Sequence, residues 1–136
     1  MPIVGFNFTR INIEKKDKMN SGERINSNIN ITSVEQEKLN LKPSEEILRF
    51  NFEFTVDYSS AGEAKLNGYV VYLDSPDKIK DYLASWEENK TINPETLSSI
   101  LNTILFKCNI KTLNLSQEVN LPPHIQLPRV TAENKK

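Results

Sequence analysis

An α+β fold, with an antiparallel sheet formed first and helices packed on it afterwards, is what the order of hydrophobic periods predicts. Two observations carry this. Leu48, Phe50, Phe52, Phe54, Val56 and Tyr58 alternate with Arg49, Asn51, Glu53, Thr55 and Asp57, and an unbroken period of two reads as a half-buried strand. From Ser75-Pro76-Asp77 the period becomes helical, and Asn93-Pro94-Glu95 repeats the same signal before a long apolar run. A Ser or Asn cap followed by proline marks a helix start, because the first helical position has no use for an N–H. The predicted architecture is a four-stranded antiparallel sheet followed by a short helix and one long helix packed on it.

The remaining elements follow in chain order. Val4, Phe6 and Phe8 alternate with small or polar neighbours, and Ile11 and Ile13 then continue on the opposite parity. A strand keeps its faces fixed, so this change of phase predicts a bulge near Thr9-Arg10. Charged residues from Lys15 to Arg24, with Asn20-Ser21-Gly22, read as a turn. Ile25, Ile29 and Ile31 predict a second strand whose other face, with Asn28 and Asn30, meets water. Ser59-Ser60-Ala61-Gly62 supplies a turn into a strand from Ala64 to Leu73. Its apolar residues occupy both parities, so both faces are expected to be covered near its end, and the strands are expected to form a meander.

Ile79, Tyr82, Leu83 and Trp86 give the short helix one apolar side. The long helix, expected to reach about Val119, has two. Leu97, Ile100, Leu101, Ile104, Leu105, Cys108 and Leu115 form a broad stripe, and Phe106, Ile110 and Leu113 form a second. A helix apolar nearly all round wants two partners. The second stripe is therefore a candidate oligomer interface, since paired long helices supply the self-complementary patch of a two-fold dimer. Asn120 can cap the helix in the left-handed region. Leu121 to Val130 contains three prolines among apolar residues, an extended segment expected to pack on the body. Residues 1–130 read as a single domain and 131–136 as a polar flexible tail.

Composition narrows the function classes. With 38% hydrophobic and 26% charged residues in 136, the chain fits one globular domain with a single core. No apolar run approaches the roughly 18 residues of a membrane span, and the N-terminal residues lack a secretory pattern, so a cytoplasmic protein is expected. A net charge of -1 with interspersed signs gives no electrostatic footprint for nucleic acid. The single cysteine, Cys108, lies in an apolar helical stripe and reads as a buried small hydrophobe. The single histidine, His124, is proline-flanked and reads as a surface residue; with Cys108 it makes no metal-ligand set, and no catalytic triad is visible. Gly62 and Gly68 do not form a phosphate loop. Glu45-Glu46 and Glu87-Glu88 read as solvated surface, and the sequon Asn89-Lys90-Thr91 carries no weight in a chain read as cytoplasmic. The strand aromatics are interleaved with Asn, Glu, Thr and Asp around one arginine, unlike a base-stacking platform. No catalytic, metal or cofactor site is expected, and a non-enzymatic protein is expected.

This order of elements resembles the SecB export-chaperone family over most of the chain, from Phe6 to about Val130. Phe6-Asn7-Phe8-Thr9-Arg10-Ile11 is similar to that family's first strand, Ile47 to Val56 to its central strand, and Leu121-Pro122-Pro123-His124-Ile125-Gln126-Leu127-Pro128 to its post-helix segment. The proline-rich ending is also similar to that of an uncharacterised archaeal family. The chain departs from the SecB pattern in lacking the helix after the proline segment; it is also less acidic, which leaves docking to a translocation ATPase open. The resemblance implies a homo-oligomeric, dimeric or tetrameric, ATP-independent chaperone that holds non-native polypeptide. Phe6, Phe8, Tyr82, Trp86, Ile125 and Leu127 are candidate groove residues from their positions; Phe106, Ile110 and Leu113 are the candidate interface. The alternative is a non-enzymatic adaptor or subunit of a cytosolic assembly, for example a ribosome-associated one.

Overall fold

The computed structural model describes residues 3–18, 22–37, 46–128 and 130. Four strands, β1 (Ile3–Lys15), β2 (Asn26–Glu37), β3 (Glu46–Asp57) and β4 (Gly62–Asp74), precede two helices, α1 (Pro76–Asn89) and α2 (Pro94–Glu118). The α+β fold read from the sequence is the one observed. The expected tail at 131–136 and the start of the turn at Asn20-Ser21 lie outside the described residues.

The sheet is antiparallel, in the order β1-β4-β3-β2. Strands β2, β3 and β4 form the expected meander, but β1 does not begin it. It crosses the sheet and pairs with β4 instead, placing Phe6 opposite Val70 and Ile13 opposite Ala64. The meander expectation is corrected on this point. An apolar period specifies which face is buried and carries no information about which strand lies alongside. Strand β2 also runs six residues beyond Ile31, through a register shift between Ile31 and Ser33. Past that shift Val34 is the only apolar residue, too little alternation to be read.

Strand β3 sits inside the sheet and alternates as expected. Leu48, Phe50, Phe52, Phe54 and Val56 are buried at 0–1% exposure, while Arg49, Asn51, Glu53 and Thr55 are only half-buried. Both helices pack on the buried face, where Ile79, Ile100, Ile104 and Cys108 complete the core. The phase change in β1 resolves into a register shift between Phe8 and Arg10. The extra residue keeps Phe6, Phe8, Ile11 and Ile13 all on the helix side.

The opposite face carries a polar network. Asn28 and Asn30 are exposed there, Asn51 Nδ2 donates to Ser33 Oγ at 2.8 Å, and Asn67 Nδ2 donates to Glu53 Oε2 at 3.3 Å. The Arg49 guanidinium lies 3.6 Å above the Tyr69 ring centroid, and Asn7 Nδ2 donates to the Tyr69 hydroxyl. Val71 and Leu73 are half-buried. The expectation that both faces of β4 are covered is thus corrected, because both helices lie on one side.

One glycine fixes the middle of the sheet. Gly68 pairs with Phe8 on one side and Phe52 on the other, and a Cβ at this position would stand 2.2 Å from the Asn7 carbonyl oxygen and 2.9 Å from Phe52 Cζ. The Phe52 ring occupies the space a side chain would need. Gly68→Ala is expected to destabilise the protein by about 1–3 kcal/mol, the usual cost of overpacking, seen as a lower urea midpoint; an unchanged midpoint would show that β1 can move aside freely.

Candidate functional site

Helix α2 is fixed by both ends and by a seam between them. Asn93 Oδ1 accepts from the backbone N–H of Glu95 and Thr96. At the far end Asn120 takes the left-handed conformation (φ 57°) and the Leu121 N–H donates to the Ser116 carbonyl, as the cap chemistry requires. Thr96, Ile100, Ile104, Cys108, Thr112 and Ser116 are its buried residues, one every fourth position. Such a row is inclined to the helix axis. Phe106 (65% exposed) and Ile110 (47%) point away from the core, and Leu113 beside them is half-buried.

The helix runs in the same direction as β1. Lys107 Nζ stands 5.9 Å from the Phe6 ring centroid and Lys111 Nζ 6.0 Å from that of Phe8, while Lys15 Nζ donates to the Asn120 carbonyl oxygen at 3.3 Å. Phe6 and Phe8 meet edge to face at 5.0 Å and both touch Phe52. Strand β1 is an outer strand of the sheet, hydrogen-bonded to β4 alone. On it Val4 is 54% and Ile11 45% exposed. Phe6 and Phe8 therefore lie half-buried between α2 and an outer strand edge of the sheet.

The other candidate residues stand elsewhere. Tyr82 and Trp86 lie on α1, which packs over β2 and β3; Tyr82 meets Tyr72 edge to face at 5.9 Å, and its hydroxyl lies 3.1 Å from Thr96 Oγ1. Tyr82, unlike Trp86, lines a cavity of about 630 Å³ between α1 and the start of α2, together with Asp74, Lys78, Asp81 and Glu95. Tyr72 donates to Asp74 Oδ2 at 2.9 Å, and burial, with Asp74 and Tyr82 close by, raises its pKa. The chain thus does not bring Tyr82 and Trp86 to Phe6 and Phe8. Ile125 and Leu127 are exposed on the segment after α2.

The reading of His124 as a surface residue is corrected. Its Nε2–H donates to Asn109 Oδ1 at 2.7 Å, its ring meets Phe54 edge to face at 6.1 Å, and Nδ1 is buried with no partner among the described residues. It anchors the proline segment on the sheet. Cys108 is buried as expected, with its thiol pushed up to about 12 by desolvation, so it stays protonated and inert. Among the described residues no group of three or more His, Cys, Asp or Glu is placed to hold a metal ion, and no helix is long and apolar enough to cross a membrane.

No protein-family profile matches the chain, and no curated protein matches it. Among solved structures the chain is similar to the SecB-like chaperone Rv1957 of Mycobacterium tuberculosis, determined in complex with a ChAD peptide from the HigA1 antitoxin. The two share 12% sequence identity, with a TM-score of 0.53, over 96% of this chain and 89% of that one. At that identity the likeness is one of fold, and it agrees with the SecB-like element order read from the sequence.

Burial lowers the His124 pKa, which gives a pH dependence with a definite sign. Below the ordinary histidine range near 6.5, a released imidazole takes up a proton that the docked one resists. Stability is therefore constant above that range and falls as pH drops through it toward the lowered value. Urea midpoints at pH 7.5 and 5.5 should differ more for the wild type than for His124→Gln; equal differences would mean that His124 is not buried on acidification.

Proposed function

We propose that this protein is an ATP-independent, SecB-like holding protein that takes up extended, non-native polypeptide along the outer edge of β1. The observation that carries the reading is the exposed apolar rim of that edge, Val4 and Ile11, beside the Phe6–Phe8 wall under α2. A sheet edge offers backbone donors and acceptors to any sequence, and alternate side chains of an added strand fall on the apolar side. This suits a client without a fixed sequence. The fold likeness to a chaperone determined with a peptide supports the same reading. Phe6 and Phe8 are the groove residues proposed here, with Ile125 and Leu127 as further apolar contacts; Tyr82 is assigned to the α1–α2 cavity and Trp86 to packing on the core.

The stripe Phe106, Ile110 and Leu113 is assigned to a second copy of the chain, making the protein a homo-oligomer in the cytoplasm. Light scattering behind size exclusion at micromolar concentration should give at least twice the chain mass, and Ile110→Glu should reduce it to one. A monomeric wild type refutes the assignment. The same stripe would serve an adaptor bound to one folded partner, which predicts a monomer alone and one stoichiometric complex in pull-downs.

Holding is tested by light scattering of reduced, unfolding α-lactalbumin. The protein should suppress aggregation at a stoichiometric ratio without nucleotide. The double variant Val4→Asn, Ile11→Asn should lose most of that effect while keeping its urea midpoint, since neither side chain belongs to the core. Failure of the wild type with several unrelated clients would remove the reading.

A further inference from the structure

The segment after α2 returns over the helix side of the sheet on two fixings. At its root Leu121 is buried, at 5% exposure, and its N–H closes the α2 cap on the Ser116 carbonyl. Pro122, Pro123 and Pro128 have no N–H to donate. Beyond Leu121, no backbone group of residues 122–128 is hydrogen-bonded to another backbone group among the described residues. Pro123, Ile125, Gln126, Leu127 and Pro128 are exposed. The second fixing is the His124 side chain, which spans from Asn109 on α2 to the Phe54 ring on β3.

That seat accepts an imidazole with one ring proton and opposes one with two. Asn109 Oδ1 takes the Nε2 proton at 2.7 Å, whereas Nδ1 is buried with no partner among the described residues. A second proton would bury both an unanswered N–H and a positive charge. No charge on the elements around the ring offsets this. On α2, Lys107 and Lys111 are turned to Phe6 and Phe8. Cys108 on α2 and Tyr58 on β3 have pKa values raised by burial and stay neutral. Burial is what lowers the pKa of His124 itself. Thr112, three residues beyond Asn109, has a buried hydroxyl without a partner among the described residues, so water entering there would recover a hydrogen bond. We infer that residues 122–128 are an acid-released strap: protonation of His124 lifts them off Phe54, while the root at Leu121 and the rest of the fold stay in place. Release bares the Phe54 ring, 1% exposed when covered, and carries Ile125 and Leu127 away with the strap.

The sign follows from the two states. The docked ring is neutral and the released one takes up a proton near the ordinary histidine value of about 6.5. The ratio of released to docked strap is therefore constant above that pH and rises below it, until the lowered pKa of the docked ring is reached. Nitrogen-15 relaxation dispersion on Ile125, Gln126 and Leu127 reads this ratio in the full chain. In the wild type it should rise by up to about tenfold between pH 7.5 and 5.5. His124→Gln keeps an amide that can donate to Asn109 and has no proton to take up, so its ratio should be the same at both pH values. Amides of Phe50 and Phe52 in β3 should show no matching exchange. A ratio that does not change in the wild type overturns the strap, because the seat then tolerates the charged ring. An equal rise in His124→Gln overturns it as well, by placing the titrating group elsewhere. Exchange shared with Phe50 and Phe52 shows opening of the whole fold and overturns local release.

Discussion

The seat of the Phe52 ring over Gly68 is the contact on which the rest of the molecule leans. Two neighbouring strands can close on each other around a phenylalanine only if one supplies a residue without a side chain, and β4 does so where β1 also crosses it. From that seat Phe52 reaches Phe6 and Phe8, joining the innermost strand to the outermost. The Phe6–Phe8 pair is thus continuous with the core. It is held in place by side chains that never reach solvent, which is why an edge strand with exposed apolar residues keeps a defined shape.

Much of this was legible in the sequence, for identifiable reasons. The period of two in β3 decides both element and buried face, because a strand half-covered by helices must alternate. The shift of parity after Phe8 revealed a bulge before any strand partner was known. Asn120 marked its own left-handed cap. Strand order was not legible: β1 and β4 are separated by half the chain, and no short-range signal says which of two edges β1 joins. His124 was misread because proline neighbours suggest a surface turn, whereas the ring is drawn in by Phe54 and Asn109, both remote in sequence. The meeting of α2 with β1 left only a partial trace. Phe6 and Phe8 stood out as apolar, but Lys107 and Lys111 resemble any solvated lysines until the helix is laid along β1. Of Tyr82 and Trp86, equally apolar in sequence, the first lines the α1–α2 cavity and the second packs against the core.

The two faces of the sheet divide the labour. The side under the helices holds the core and the Phe6–Phe8 pair, and the side without helices is a lattice of amide, hydroxyl and carboxylate hydrogen bonds organised around Tyr69. An antiparallel sheet tolerates this asymmetry because its hydrogen bonds are complete without a second layer. Placing α1 over β2 and β3, and α2 over β4 and β1, leaves each outer strand with a helix near it on one side only.

The four-residue spacing of the buried row on α2 has a consequence for how the chain can change. An ideal helix turns 400° in four residues, so the row drifts by about 40° at each step and winds around the axis. The helix is therefore clamped from successively different directions, like a screw in its thread, and can neither roll nor slide alone. One residue inserted near Thr103 would turn everything beyond it by about 100°, removing Cys108 and Thr112 from their seats and carrying Lys107 and Lys111 off the β1 side. Substitution is open to this helix; a change of length is not.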